Sequence, residues 1–490
     1  MVKGSEQAHG NSPAARLLVA IARDALASCD PAHAVERSVW AGKARLVIAD
    51  RTIRLAKRGR LIVLAYGKAA AGMMQGLYAR LEQAGGERRV EGLVIVPRGL
   101  TAGASGRTRT VREMHGDHPV PLRASFEAGR RALALASRAG PADDVIYLAS
   151  GGGSSLMAAP LAPFLRPADK TLLNRILLGT GAPIGTINTV RRHLSAIKGG
   201  RLAVAARAAR TQATLVVSDV DPERHDQVAS GPSLPDPTTI DDLVAAIDRH
   251  GLAPALPERF LAALHSGRLP ETPKSKHAAF RHSVCEVILS NRELCNAALR
   301  AGMARGLSAE SILAEVTGSV EESAEMVARA IEAAPAGTRL LVMGGEVLTV
   351  PGGEGIGGRA QELGLRLALR MEGLSARSWA FLALGSDGID GNSPAAGAYV
   401  DSSTLDRARH MRLDPGGALR RADAHRFFRR LGDDLVTGST GTNVRDLYLL
   451  LTGLPASGLQ TIPAADSRPA RRQARGQRTS RRASARSRTR

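Results

Sequence analysis

Residues 61–73, LIVLAYGKAAAGM, decide the fold class. Leu61–Tyr66 form an unbroken apolar run, Gly67 permits a sharp turn, and the Ala-rich stretch that follows is typical of a helix. An apolar run without polar alternation predicts a strand buried on both faces, as in a parallel sheet covered by helices. Lys68 stands directly after the turn, where a strand ends and a helix begins.

The same order of apolar run and helical segment recurs along the chain. Strand-like runs also occupy residues 92–97, 145–149 and 214–218, separated by helical patterns over 123–138, 169–178 and 189–207. This alternation predicts an α/β fold with a mostly parallel, doubly wound sheet and functional loops at the carboxyl ends of its strands. A second α/β unit is predicted from runs at 284–289, 311–315, 339–343, 379–384 and 447–451.

Composition divides the chain further. We predict an N-terminal domain over residues 12–260, a connector over 261–282, a C-terminal α/β domain over 283–456 and a disordered tail over 467–490. The tail has ten arginines and no acidic residue, so +11 of the net charge of +21 stays on the rest of the chain. We interpret the tail as a solvated appendage on an enzyme, with non-specific contact to nucleic acid or anionic lipid as the alternative. The excess positive charge of the body suits a small acidic substrate.

The other bulk properties indicate the compartment. The chain has 490 residues, of which 44% are hydrophobic, enough for two domains. Its three cysteines show no CxxC spacing, which favours a reducing compartment. No stretch reaches transmembrane length, and we expect a cytoplasmic protein without a membrane partner.

Two Gly-rich loops in the C-terminal half carry the chemistry. GGEVLTVPGGEGIGGRAQE (344–362) and GSDGIDGNSPAAGA (385–398) each follow an apolar run. Glycines between a strand and a helix let backbone N–H groups converge on a phosphate. The carboxylates of Glu346, Asp387 and Asp390 would repel that phosphate unless a divalent cation lay between them. The loops therefore predict a nucleotide with Mg²⁺.

Two lysines stand out in a chain with few of them. Only eight residues are lysine, so a lysine beside a glycine turn is expected to serve a purpose that arginine does not. Lys68 and Lys198 both occupy such positions. For Lys198 the alternative is a favourable charge at the end of a helix capped by Gly199 and Gly200, and the two interpretations weigh equally.

Further candidates lie in the first unit. ASGGGSS (149–155) exposes backbone amides and two hydroxyls to a carboxylate or phosphate, although a tight turn with a serine cap is the alternative. Asp219 follows the strand at 214–218, where a Mg²⁺ or hydroxyl contact and a local Asx-turn are both plausible. The substrate-binding candidates are Gly151, Gly152, Gly153, Ser154, Ser155, Asn188, Arg191 and Lys198.

A dinucleotide-binding site is the competing interpretation of the first Gly-rich loop. Gly353, Gly355 and Gly358 match GxGxxG, but the next strand ends in another Gly-rich loop rather than in the acidic residue that binds a ribose. Arg359 follows the last glycine directly and favours a contact with phosphate charge. The chain has no Walker A motif and no protein-kinase DFG and HRD set, so a kinase here has another architecture.

Together these motifs resemble the glycerate 2-kinases of the glycerate kinase type II group, which have a C-terminal MOFRL-type domain. The matching segments, in chain order, are AYGKAA, GDHPVP, ASGGGSS, INTVRRHLSAIKGGRLA, SDVDPERHDQVASGPSLPDPTT, GGEVLTV with GGRAQE, GSDGIDG with AAGA, and TGTNVRDL. The resemblance implies a Rossmann-like N-terminal domain, a smaller C-terminal domain and an active site in the cleft between them. It also implies ATP-dependent phosphorylation of D-glycerate at the 2-hydroxyl, with Lys68 and Arg359 as the catalytic pair.

The remaining roles stay open at this level. Asp219, Asp387 and Asp390 are candidates for binding Mg²⁺ or accepting the hydroxyl proton, with Asp219 placed among the catalytic residues and the other two with the metal. The nucleotide-binding candidates are Gly345, Glu346, Gly357 and Gly358. Two rival functions are an NAD(P)H-dependent hydroxypyruvate reductase and a nucleic-acid-binding protein acting through the tail. A homodimer also stays open.

Overall fold

The structure is a computed structural model. It describes residues 12–54, 56, 59–85, 90–100, 110–180, 182–220, 222–312, 315–335, 337–349, 353–374 and 378–454. The Arg-rich tail lies outside these residues.

The helices and strands alternate through most of the described chain. The α-helices are α1 (Pro13–Ser28), α2 (Pro31–Ser38), α3 (Ala70–Gln83), α4 (Arg123–Ser137), α5 (Gly153–Leu156), α6 (Pro167–Gly179), α7 (Ile184–His193), α8 (Arg201–Ala205), α9 (Ile240–Arg249), α10 (Glu258–His265), α11 (Asn291–Met303), α12 (Val320–Glu332), α13 (Arg359–Arg370), α14 (Thr404–His410), α15 (Pro415–Arg420) and α16 (Ala424–Leu431). The strands are β1 (Val39–Gly42), β2 (Arg45–Ile48), β3 (Arg51–Arg54), β4 (Leu61–Tyr66), β5 (Val90–Pro97), β6 (Val111–Gly116), β7 (Asp144–Ser150), β8 (Thr211–Val217), β9 (Ser283–Leu289), β10 (Ser308–Ser311), β11 (Arg339–Gly345), β12 (Ser378–Gly385), β13 (Gly397–Asp401), β14 (Asp434–Leu435) and β15 (Asp446–Leu454).

Six parallel strands form the first sheet, in the order β6-β5-β4-β7-β8-β9. Every residue of β4 and β7 is buried, because apolar side chains cover both faces of the sheet. The prediction from the unbroken apolar run at 61–66, a parallel strand buried on both faces, is therefore confirmed. A mixed α/β fold is confirmed.

The strand β9 corrects the predicted boundary at residue 283. Its run was predicted to open the second unit, but it pairs in parallel with β8, Thr214 lying opposite Cys285. It thereby completes the first sheet, and the predicted connector holds the end of α10. An apolar run by itself does not specify its partner strand, because pairing depends on contacts distant in sequence.

The second sheet is mixed, with the order β10-β11-β15-β12-β13-β14. Only β10 and β11 are parallel in it, and β15 runs antiparallel between β11 and β12. That direction brings Asp446, the first residue of β15, opposite both Gly345 and Gly385. The carboxyl ends of β11 and β12 and the start of β15 thus share one edge of the sheet.

Two elements differ from the sequence expectation around these sheets. The strand predicted at 311–315 lies earlier, at β10, whose polar edge position hides it from a hydrophobicity pattern. The helix predicted over 189–207 is broken into α7 and α8, because Gly199 and Gly200 adopt positive φ of 55° and 80° between them. The small antiparallel sheet β1-β2-β3 was not predicted from the sequence.

The N-terminal helix α1 belongs with the second sheet. Leu18 of α1 and Ala298 of α11 are fully buried in the same apolar cluster as Leu449 of β15. The first and last described elements therefore lie in one core. Across the described ranges, no helix is long and apolar enough to cross a membrane.

Candidate active site

The loops at the carboxyl ends of the two sheets contact each other. Lys68, after β4, donates from Nζ to Asp387 Oδ2, after β12, at 2.6 Å. Asn443, before β15, donates from Nδ2 to Asp219 Oδ2, after β8, at 3.3 Å. The two contacts bring predicted site residues from distant segments into one place.

The position of Lys68 depends on the glycine before it. Gly67 has a φ of +120°, and a Cβ on it would lie 2.2 Å from Ser150 Oγ, so only glycine fits this turn. The Lys68 backbone N–H donates to the Gly151 carbonyl at 2.9 Å. Lys68 is thus held against the ASGGGSS turn, and its ammonium group is part exposed.

The ASGGGSS turn itself is organised by Lys198, and this corrects the interpretation of that lysine as a charge at a helix end. Lys198 is 1% exposed, and its Nζ donates to the carbonyls of Ser154 at 2.5 Å and Met157 at 3.5 Å. Burial, then the nearby charges of Lys170 and Arg191, hold its pKa well below the usual value. Lys198 therefore supports the turn from within the core and does not lie at the end of α7, while its role in substrate binding stays a prediction.

Hydroxyl and amide side chains line the outer side of that turn. Ser154 Oγ and Ser230 Oγ lie 2.9 Å apart, and Ser230 Oγ donates to Asn188 Oδ1 at 2.8 Å. Ser155 instead donates to the Gly152 carbonyl at 3.2 Å and acts within its own turn. Ser230, which the sequence analysis missed, has a φ of 61°, a strained conformation of the kind that collects at functional sites.

Arg191 adds a cation beside these groups. Its Nε donates to Asn174 Oδ1 at 3.1 Å, and burial lowers the pKa of its guanidinium to about 10. Burial also lowers the pKa of His118 to about 4, with Lys68 and Arg191 contributing through their positive charge. His118 is therefore neutral at physiological pH and adds no charge to this cationic region.

Asp219 carries negative charge into the same region. Burial and the nearby Glu346 raise its pKa to about 6, although Lys68 and Arg445 act in the opposite direction. A Cβ on Gly151 would lie 1.9 Å from Asp219 Oδ2, so the glycine permits the carboxylate to approach the turn. The positive charges of Lys68 and Arg445 therefore do not fully offset the cost of burying the ionised Asp219 carboxylate.

Arg359 opens α13 on the opposite side. Its Nε donates to Asp446 Oδ2 at 2.6 Å and its Nη2 to Oδ1 at 2.9 Å, while Nη1 pairs with Glu346. Asp446 is 1% exposed and also accepts from the Tyr448 hydroxyl at 3.0 Å. Burial opposes the charge of Arg359, but Asp446 and Glu346 outweigh it and raise the pKa of the guanidinium.

Asp390 contacts the start of α13 through both of its carboxylate oxygens. Its Oδ1 accepts from Ala360 N at 3.0 Å and its Oδ2 from Gln361 N at 2.8 Å. These are the first amides after Arg359, so the start of α13 is already occupied by a carboxylate. This corrects the prediction that this helix start cradles a phosphate, because its amides already donate to Asp390, whereas Asp390 as a metal ligand stays a prediction.

The glycines of that loop serve close approach. Gly357 N donates to Asn392 Oδ1 at 2.8 Å, and a Cβ on Gly358 would lie 2.2 Å from Asp390 Oδ1. Gly345 has a φ of +150°, and a Cβ on it would lie 2.3 Å from the Val316 carbonyl. All three let neighbouring backbone segments meet.

Three site residues of the segment TGTNVRDL escaped the sequence analysis, although the motif itself was used for the resemblance. Asn443 reaches Asp219, and Asp446 holds Arg359. Arg445 pairs with both carboxylate oxygens of Glu315 at 2.9–3.0 Å, with a φ of 67°. Their function was not visible because it depends on which loops β15 passes between.

Among the described residues, no group of three or more His, Cys, Asp or Glu side chains is arranged to hold a metal by itself. A surface cavity between α12, α13 and α15 holds none of the predicted site residues.

Comparison with known proteins identifies the family. Residues 17–265 match a domain of unknown function, DUF4147, and residues 339–446 match the MOFRL family. A D-glycerate 2-kinase from Thermotoga maritima is 34% identical over 397 residues, which span 80% of this chain and 90% of that protein. The chain belongs to the glycerate kinase family.

Other family members agree in fold and differ in name. The crystal structure of a glycerate kinase from Thermotoga maritima superimposes with a TM-score of 0.73 at 31% identity, covering 89% of this chain and 99% of that one. A relative from Agrobacterium vitis, provisionally named a hydroxypyruvate reductase, is 38% identical over 81% of this chain and 88% of that protein.

Proposed function

We propose that this member of the glycerate kinase family transfers the γ-phosphoryl group of ATP to the 2-hydroxyl of D-glycerate, giving 2-phospho-D-glycerate and ADP. The observation that carries the proposal is the meeting of opposite charges at the facing loops. Lys68 and Arg359 supply positive charge, and Asp219 and Asp387 supply carboxylates. Phosphoryl transfer requires this combination of alignment and charge compensation.

The substrate carboxylate is proposed to lie on the ASGGGSS turn. The first N–H groups of α5 have no partner within the helix, and Gly152 turns the backbone there with a φ of +81°. Ser154, Asn188 and Arg191 stand around this turn. A small acid bound there would bring its hydroxyl toward Lys68 and Asp219.

The transferred group is proposed to lie between Lys68 and Arg359. Negative charge grows on its equatorial oxygens in the transition state, and two fixed cations stabilise it more there than in the ground state. The Lys68 side chain is part exposed, so its ammonium group can contact Asp387 or, when substrate is bound, the transferred phosphoryl group. Asp219, with its raised pKa, is suited to accept the hydroxyl proton.

The carboxylates fit Mg²⁺, which is bound in kinases by one or two carboxylates together with the phosphates. Asp387 is the proposed ligand, and Glu346 and Asp219 are the neighbouring charges whose mutual repulsion a cation would relieve. Bound Mg²⁺ would neutralise charge on the phosphate oxygens.

We also propose a finer description of the fold: a Rossmann-like first domain and a smaller second domain, with the site in the cleft between them. The all-parallel order of the first sheet, which reverses between β4 and β7, supports it. Ligands bind at such reversal points in open α/β sheets.

The test is a coupled assay of the purified protein with D-glycerate, ATP and Mg²⁺ that identifies the phosphoglycerate formed. We expect 2-phosphoglycerate, complete loss of activity with EDTA, and recovery with Mg²⁺ or Mn²⁺. Formation of 3-phosphoglycerate would refute the assignment of the 2-hydroxyl, and full activity without metal would refute the Mg²⁺ site.

Hydroxypyruvate reduction is the second candidate, favoured by the name of the Agrobacterium vitis relative. It predicts oxidation of NADH or NADPH by hydroxypyruvate. The same preparation assayed spectrophotometrically with that pair separates the two functions.

A further inference from the structure

The helix that carries Arg359 is capped by a residue from another loop. The N-cap residue of α13 is Gly358, which has no side chain to cap with. The cap comes instead from Asp390, about thirty residues away, whose two carboxylate oxygens accept from Ala360 N and Gln361 N. By contrast, α2, α9 and α12 are capped by their own N-cap residues, Asp30, Thr239 and Ser319.

The contact is part of a tight junction between the two Gly-rich loops. Asp390 is 3% exposed, and the absence of a side chain on Gly358 is what lets its carboxylate approach. Asn392 adds a reciprocal pair, accepting from Gly357 N at 2.8 Å and donating its own N–H to the Gly357 carbonyl at 3.2 Å. The start of α13 therefore has little freedom to move relative to the loop at 385–392.

That loop also carries Asp387, the partner of Lys68. Asp387 Oδ1 accepts from Ile389 N at 3.1 Å, immediately before Asp390 in the chain. The positions of Arg359 and Asp387 therefore both depend on the backbone of residues 387–390. A shift of Asp390 changes the placement of the Arg359 guanidinium relative to the Lys68–Asp387 pair.

We infer that Asp390 is a positioning residue that sets the catalytic placement of Arg359 through the backbone of α13. The inference rests on the proposed function, in which Arg359 contacts the transferred phosphoryl group. Misplacement of a reacting group by about 1 Å costs up to about 100-fold in rate, so a fixed helix start has a direct kinetic consequence.

The experiment combines Asp390→Asn, Arg359→Ala and the double variant, assayed for glycerate phosphorylation. An asparagine keeps one acceptor oxygen but turns an N–H₂ group toward the second amide, so one of the two bonds is lost. We expect kcat to fall about 10- to 100-fold, with KM for D-glycerate and for ATP within about twofold of wild type. Because Asp390 acts through Arg359, the double variant should be no slower than Arg359→Ala alone.

The matched control is Asp30→Ala, which removes the cap of α2, where Asp30 Oδ1 accepts from Ala32 N at 2.7 Å. A loss of helix capping in general would lower Tm in this variant too, but leave kcat unchanged. If Asp390→Asn does not fold, Asn392→Ala is the second variant: it removes the side-chain bonds to Gly357 N and to the Gly355 carbonyl but leaves the Asp390 cap in place. It should show a smaller kcat loss with the same non-additivity.

Three outcomes overturn the inference: wild-type kcat in Asp390→Asn, losses that multiply in the double variant, or a kcat loss that excess Mg²⁺ restores, since the last marks a metal ligand. An inactive wild-type protein overturns the proposed function instead. Hydrogen exchange then tests the cap without substrate: amides at 360–361 should exchange faster in Asp390→Asn, and unchanged exchange there would refute it.

Discussion

Lys68 is the residue whose role is most exposed to a direct test. It follows Gly67, whose φ of +120° only glycine fits at this turn, and its ammonium group contacts Asp387 from the other sheet at 2.6 Å. The side chain is part exposed and its contact with Asp387 is ionic, so we expect its function to be electrostatic rather than structural.

Replacement of Lys68 by alanine should therefore lower kcat by about 100-fold or more while leaving Tm close to that of wild type. The measurement is steady-state kinetics with a thermal melt of the same preparation. Lys276→Ala, at an exposed lysine away from the site, is the control and should keep wild-type kcat. Turnover near the wild-type rate would remove Lys68 from the mechanism.

Asp219 makes the pH dependence predictable. Because burial and Glu346 raise its pKa to about 6, a mechanism that needs the carboxylate predicts that kcat/KM rises about tenfold per pH unit below pH 6 and levels off above it. The profile is measured at constant ionic strength. A flat profile between pH 5 and 8 would show that ionised Asp219 is not required.

The free energy of unfolding should fall over the same pH range in which ionisation of Asp219 raises kcat/KM. A carboxyl whose folded pKa lies above its unfolded value of 3.8 contributes stability at low pH and loses that contribution as the pH rises through about 6. Asp219→Asn should therefore melt at a higher temperature than wild type at pH 8, though it is inactive. The difference should vanish below pH 3.8, and an equal Tm at pH 8 would contradict the raised pKa.

Among the elements, β9 decides where the first sheet ends. It covers the edge of β8, a strand buried at six of its seven positions. An uncovered apolar edge pairs with other chains and aggregates. The position of β9 therefore matters more to solubility than its half-buried side chains suggest.

Two fragments of the first sheet test this. Residues 30–282 end before β9 and should be recovered mainly as aggregate, whereas residues 30–290 include it and should be more soluble. Size-exclusion chromatography after parallel expression provides the comparison. If both fragments behave alike, the pairing of β8 with β9 contributes nothing to folding.

On the scale of the whole molecule, the first and last described elements pack together, because α1 lies in the core of the second sheet beside α11 and β15. The Arg-rich segment at 467–490 follows the last described strand in the sequence, and it has ten arginines and no large apolar residue. Nothing in its composition would bury surface against the body.

Deletion of residues 467–490 should accordingly leave kcat and Tm unchanged and abolish most salt-sensitive retention on nucleic acid, since that retention depends on the number of positive charges. Kinetics, thermal melting and a salt-gradient elution from immobilised DNA measure the three properties. A large fall in kcat would mean that the tail takes part in the active enzyme.

Local sequence patterns were enough to predict part of the fold and the family of this protein. The apolar run before Lys68 predicted a buried parallel strand, the Gly-rich loops predicted phosphate chemistry, and the ordered motifs predicted the glycerate kinase family, which the comparisons confirmed. Strand burial and turn conformation depend on neighbouring residues, so the sequence determines them by itself.

Partners distant in sequence were decided only by the tertiary structure. Ser283–Leu289 joined the first sheet, Lys198 turned into the core to hold two carbonyls, and Asp390 accepted the hydrogen bonds of the amides beside Arg359. Asp446 became the partner of Arg359 because β15 runs antiparallel beside β11. Strand register and the burial of a charge are set by contacts between segments hundreds of residues apart, and no local pattern encodes which segments those are.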